Sequence, residues 1–228
     1  MQRLKIKVCL LLVATSCTQE ATGLTIPYTA PPGSSTWLDV PWPSDLRRNS
    51  QGQPQLFSYP DPQAAELVRA AIALAETRQG FALQPTIYVE MGAAIAEDHL
   101  SADPETALSA TAAVQLIALD GPLERRPLKL GQGGADDWIK PTVLHARALF
   151  GWPLKPSHRY ALIVTTDLKP ADSNLRFNPV PEISQALSGT GPQATFFKPL
   201  RDRLDDYSIR ADQILVATLF TTADPTAE

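Results

Sequence analysis

Cysteine is nearly absent from this chain. There are two in 228 residues, Cys9 and Cys17, and both fall in the first seventeen. Cleavage before Cys17 would leave no pair of thiols for a disulfide, so an exported form would depend on its core alone. Histidine is scarce too. His99, His145 and His158 stand 46 and 13 residues apart, which gives neither H-x-x-x-H nor H-E-x-x-H and no set of three or four converging zinc ligands. No G-x-S-x-G elbow occurs, so an α/β-hydrolase nucleophile is missing from the chain. Ser188-Gly189-Thr190-Gly191-Pro192 lacks the lysine and the spacing of a phosphate loop, and Gly131-Gln132-Gly133-Gly134 reads as a flexible turn. No apolar run reaches the ~20 residues that a membrane-spanning helix takes. Twenty Lys and Arg face 24 Asp and Glu, for a net charge of -4. The basic residues do not cluster beyond pairs such as Arg47-Arg48 and Arg125-Arg126, so there is no electrostatic track for nucleic acid. The expectation is a chain with no catalytic residue, no cofactor and no metal.

What is present begins at the N-terminus. Arg3, Lys5 and Lys7 are followed by the apolar run Val8–Ala14 and then by Thr15 and Ser16. Charge, grease and small residues in that order are the layout of a secretory signal. Ala14-Thr15-Ser16-Cys17 resembles a bacterial lipobox, in which the thiol is acylated and becomes the mature N-terminus. The other reading is an ordinary secretion signal with an incidental Cys17. Stable anchoring takes more than one acyl chain, and bacterial lipoproteins carry several, as the resemblance implies. Thr18 stands where inner-membrane lipoproteins often carry Asp, which points to the outer membrane of a Gram-negative cell. The expected location is the cell envelope, with the membrane as a partner through Cys17.

Residues 1–17 are therefore read as signal peptide, 18–36 as a proline-containing tether and 37–228 as one domain. A content of 44% hydrophobic and 19% charged residues allows a packed core. Twenty-one prolines against twelve glycines favour short strands with stiff connections over a helical bundle. Trp37-Leu38-Asp39-Val40-Pro41-Trp42 reads as an extended arm packed on the domain, or else as an exposed binding strip presenting Trp37 and Trp42 to a protein or surface ligand. Asp61-Pro62 opens a helix that ends at Gly80. Its Ala64, Leu67, Val68, Ala71, Ile72 and Ala75 recur at helical spacing, as if to pack one face on the body. Strands are expected at Thr86–Met91, Ala113–Leu119, Arg126–Leu130, Thr142–Phe150, Arg159–Thr166 and Ile214–Thr222. A second helix is expected in Ala194–Tyr207, regular from Pro199 onward.

From Thr86 the pattern resembles bacterial Ig-like domains. The residues that carry it are Ile87-Tyr88-Val89-Glu90-Met91, Val114-Gln115-Leu116-Ile117-Ala118-Leu119, and the run from Leu154-Lys155-Pro156 through Tyr160 to Asp167. In such domains the tyrosine packs at a corner and the next strand closes a sheet. The resemblance implies a mainly β fold, an Ig-like β-sandwich with two flanking helices and a core over 84–169. Trp42-Pro43-Ser44-Asp45-Leu46 and Leu219-Phe220-Thr221-Thr222-Ala223-Asp224-Pro225-Thr226 further resemble the N-terminal module of bacterial lipoprotein lipases and esterases. Two functions follow as expectations: a lipid-anchored accessory or interaction module without catalytic machinery, or the front part of a lipase-like hydrolase. The acidic residues Asp136, Asp137, Asp205 and Asp206, and the loop holding Asp167, Asp172 and Asn174, raise a third reading, a calcium-stabilised adhesion domain. Calcium wants six to eight oxygens, and neither set has EF-hand spacing.

Overall fold

The computed structural model describes residues 21–33, 36–61, 63–101, 103–134 and 138–226. The expectations placed on Cys17, Pro62, Asp136 and Asp137 lie outside the described residues. The fold is mainly β, as expected, with several sheets and few helices. In chain order the elements are β1 (Thr22–Thr25), α1 (Glu66–Ala75), β2 (Thr86–Glu90), α2 (Glu97–Leu100), β3 (Val114–Ala118), β4 (Arg125–Arg126), β5 (Leu128–Gln132), β6 (Val143–Ala148), β7 (Arg159–Thr165), β8 (Leu175–Asn178), α3 (Pro181–Leu187), α4 (Lys198–Arg201) and β9 (Ile214–Thr221). Strands β4-β3-β7-β9 form one antiparallel sheet and β2-β6-β5 another, while β1 and β8 make a parallel pair.

Sequence pattern explains the placing of the strands. In β2, Ile87 and Val89 are buried and Thr86, Tyr88 and Glu90 half-buried, the alternation of a strand with one face on a core. β3 and β7 are almost continuously apolar, and they are the two central strands of the larger sheet, buried on both faces. The second face is accounted for by segment 181–209, whose Ile183, Leu187, Phe197, Leu200, Leu204 and Tyr207 belong to the same apolar cluster as β2, β3, β6, β7 and β9. The Tyr207 hydroxyl ties this layer to the sheet by donating to the Ala118 carbonyl at 2.8 Å.

Several expectations need correction. The tether assigned to residues 18–36 contains β1, which pairs with β8 from Thr22↔Leu175 to Thr25↔Asn178, and Ile26 is buried in the core. Pairing with a strand 153 residues away leaves no local signal in the sequence. Arg126–Leu130 is not one strand. Arg125 and Arg126 pair with β3, Pro127 lacks the N–H needed to continue a ladder, and the chain passes to the other sheet as β5. Gly131 and Gln132 belong to β5 rather than to a turn, paired with His145 and Leu144 of β6, and a Cβ at Gly131 would collide with the His145 ring. β6 stops at Ala148, which leaves Phe150 67% exposed. The helix expected in Ala194–Tyr207 is regular only over the four residues of α4, although Phe197, Leu200 and Leu204 are buried as its stripe demanded. Helix α3 was not foreseen, so the described helices exceed the expected two.

Helix α1 is the largest departure. It begins at Glu66, after Ala64 at φ 49°, and Asp61 accepts the Ala65 N–H at 3.0 Å instead of capping the first turn. No residue of α1 is buried, and Leu67 and Leu74 are 82% and 60% exposed. Only Val68, Ile72 and Ala75 turn half-buried toward the body. Leu67→Gln and Leu74→Gln are therefore expected to change unfolding free energy by no more than about 0.5 kcal/mol each, measured by urea denaturation.

Gly80, at φ 85°, sits where a Cβ would press on the backbone of Thr221, Thr222 and Ala223, and its N–H donates to the Gly52 carbonyl at 2.9 Å. Gly80→Ala combines left-handed strain with a backbone collision. It should destabilise by more than about 1 kcal/mol, read as a fall in thermal midpoint.

Candidate binding cleft

The N-terminal arm is built around one buried cation. Ser44 caps a single 3-10 turn, Asp45–Arg47, by accepting the Leu46 N–H at 3.3 Å. That turn carries the Arg47 side chain inward, where its accessibility is 0%. The Arg47 guanidinium is ion-paired with Asp39 and donates to the carbonyls of Trp37 at 2.7 Å and Thr36 at 3.2 Å. It also lies 5.1 Å from the Trp37 ring centroid and 4.5 Å from that of Phe57. Burial pushes the Arg47 guanidinium down from its usual range, opposed by the charge and hydrogen bond of Asp39. Asp39 additionally accepts the N–H groups of Gly33 at 2.6 Å and Val40 at 3.0 Å. Gly33, Thr36, Trp37, Val40 and Phe57 are thus tied to one ion pair rather than to a regular element.

Trp37 and Trp42 are brought together, with ring centroids 4.6 Å apart. They belong to a chain of rings: Tyr59 meets Trp37 at 4.8 Å, Trp42 meets Phe81 at 5.1 Å, Phe81 meets Phe220 at 6.4 Å and Phe220 meets Tyr160 at 6.1 Å. Trp42 also exchanges backbone hydrogen bonds with Tyr88, at 2.9 and 2.6 Å, and so occupies the outer edge of β2 at its central residue. The arm reading of this segment describes the observed packing: both indoles are half-buried, and Trp42 rests on the core cluster.

Beside this ladder, at the end of the molecule where β2 stops and β6 begins, lies a cleft of about 590 Å³. One wall comes from the arm and the segment after β1, with Pro27, Tyr28, Trp37 and Pro60. The other comes from the approach to β6, with Trp138, Ile139, Lys140 and Thr142; Glu90 and Gly92 lie at the β2 end. Trp42 is not among the lining residues. The volume falls in the ~300–1,000 Å³ range of small-molecule sites, and an apolar, aromatic lining with a few polar groups is their usual character. Trp138 is 39% exposed. Glu90 accepts the Gly92 N–H at 3.0 Å. Burial, with Glu182 adding to it, raises the Tyr28 phenol well beyond its ordinary range, and the hydroxyl is buried without a hydrogen-bond partner among the described residues.

The other singled-out groups lie apart. His99 and Asp167 border a second, smaller cavity with Asp98, and His145 lines a third with Arg147. The His158 ring contacts the Pro156 carbonyl at 2.7 Å. Asp172 is engaged by the backbone and side-chain N–H of Asn174, both at 2.9 Å, and Asp206 by Arg203 at 3.1 Å. Among the described residues no group of three His, Cys, Asp or Glu could hold a metal ion, and no helix is long and apolar enough to cross a membrane. The chain matches no protein-family model and no curated protein sequence.

Sequence reasoning found Trp37 but missed the cleft. Trp138 is a single aromatic residue in a polar, glycine-containing loop, which was its only local signal. The Asp39–Arg47 pair was legible only as two opposite charges inside an aromatic, proline-rich stretch.

Proposed function

We propose that this chain is a lipid-anchored, extracytoplasmic accessory module that binds a ligand and has no catalytic machinery of its own. The observation that carries the reading is the aromatic cleft. It is built on strand ends and on an arm held by a buried ion pair, so its walls are preorganised. The chain would be held at the bilayer through acylated Cys17, in the outer membrane of the cell envelope. In this reading the two larger sheets form an Ig-like β-sandwich. Supporting it, the buried Tyr160 hydroxyl accepts the Lys155 N–H at 3.0 Å, five residues upstream at the entry to β7, which is the arrangement of a tyrosine corner.

Cys17→Ala tests the anchor. The wild-type protein is expected in the membrane fraction and the variant in the soluble fraction; equal partition of both would remove the lipid anchor from the account. Tyr160→Phe tests the corner, with an expected loss of about 1 kcal/mol in unfolding free energy. A second reading, the N-terminal part of a lipase- or esterase-like hydrolase, is favoured by one observation. Leu123, Phe150 and Trp152 are exposed, and the β3–β4 and β6–β7 connections that carry them lie at the end of the sheets where β9 finishes. An in-frame downstream sequence with a G-x-S-x-G strand–turn–helix would establish it.

A further inference from the structure

We infer that the cleft takes an uncharged, short oligosaccharide, an assignment that rests on reading the cleft as the binding site. Charge is the first argument. The Asp39 carboxylate is consumed by Arg47 and two backbone N–H groups, which leaves Glu90 and Lys140 as the remaining ionic side chains among the described lining residues, one of each sign. A lining balanced in this way offers no net attraction to a phosphate or a polyanion. Shape and polarity are the second. A pyranose ring has flat C–H faces and a rim of hydroxyls. The indole of Trp138, the edge of Trp37, Tyr28, Pro27 and Pro60 suit the faces; Glu90, Lys140 and the nearby threonines suit the rim. A volume of about 590 Å³ has room for more than one sugar unit.

A peptide added as an extra strand is disfavoured, because Tyr88 at the middle of β2 already exchanges both backbone hydrogen bonds with Trp42 and so interrupts that edge. The cleft also binds without hydrolysing. Glycoside hydrolysis in most families uses two carboxyl groups across the scissile bond, and of the two acids among the described lining residues Asp39 is locked in the Arg47 ion pair.

The test uses full-length protein in detergent, titrated with cellotriose, maltotriose and tri-N-acetylchitotriose, all uncharged, and followed by tryptophan fluorescence and calorimetry. Saturable binding of at least one trisaccharide is expected. Trp138→Ala should weaken it by about tenfold or more, and Glu90→Gln should weaken it with an unchanged thermal midpoint. Trp152→Ala, an exposed aromatic outside the cleft, should leave it unaltered. No saturable binding of any of the three sugars, or equal binding by Trp138→Ala, overturns the inference. Decaproline serves as the contrasting probe. If it binds in a Trp138-dependent way and no sugar does, the saccharide assignment falls while the binding-module reading stands. If neither class binds, both fall.

Discussion

Asp39→Ala is expected to lower the unfolding free energy by about 3–5 kcal/mol, because it strands a fully buried guanidinium. The Arg47 side chain is 0% accessible and that of Asp39 5%. Without Asp39 the cation would keep only carbonyl acceptors and the Trp37 and Phe57 rings, and the N–H groups of Gly33 and Val40 would lose an acceptor. Urea denaturation should show a lower midpoint, and Trp37, held through its carbonyl by Arg47, should report a looser environment by fluorescence. Replacing both partners by apolar residues, Asp39→Leu with Arg47→Met, should recover much of the loss, since a matched apolar pair can stand in for a buried ion pair. A shift below about 1 kcal/mol for Asp39→Ala would show that the arm is not organised by this pair.

Phe220→Ala is expected to cost about 3–5 kcal/mol through the cavity it leaves. Phe220 is 0% exposed on the closing strand β9 and lies between Phe81 and Tyr160 in the ring ladder. The ladder joins the arm to the larger sheet, so the loss should spread to Trp42 and be visible in its emission. Phe150→Ala, of identical chemistry at a 67% exposed position, should stay within about 0.5 kcal/mol. Equal costs at the two positions would contradict the core drawn here.

The strands were legible wherever burial leaves a period or a run. The alternation of Ile87, Val89 and Met91 and the nearly continuous apolar text of Val114–Leu119 and Tyr160–Val164 mark β2, β3 and β7 within a residue or two of their observed bounds. Pairings across long sequence separations were not legible. β1 is four residues long and finds its partner at Leu175–Asn178, and nothing local in Thr22-Gly23-Leu24-Thr25 announces that. Helix α1 misled for a physical reason: its apolar arc is broad, with Leu67 and Leu74 at one side and Val68, Ile72 and Ala75 at the other, so the period predicts a helix correctly without saying which part of the arc meets the body. Only half of the cleft could be read. Trp37 stood out as an aromatic in a proline-rich arm, whereas Trp138, Glu90 and Lys140 come together only when the end of β2 is laid beside the start of β6 by the register Glu90↔Val143.

The central claim is an anchored binding module, and the most direct test is the intact mass of the protein extracted from the cell envelope. The account predicts a chain that begins at Cys17 and carries the added mass of a glyceryl group and its acyl chains. A chain recovered soluble, with Cys17 an unmodified thiol or with the first sixteen residues retained, would contradict it.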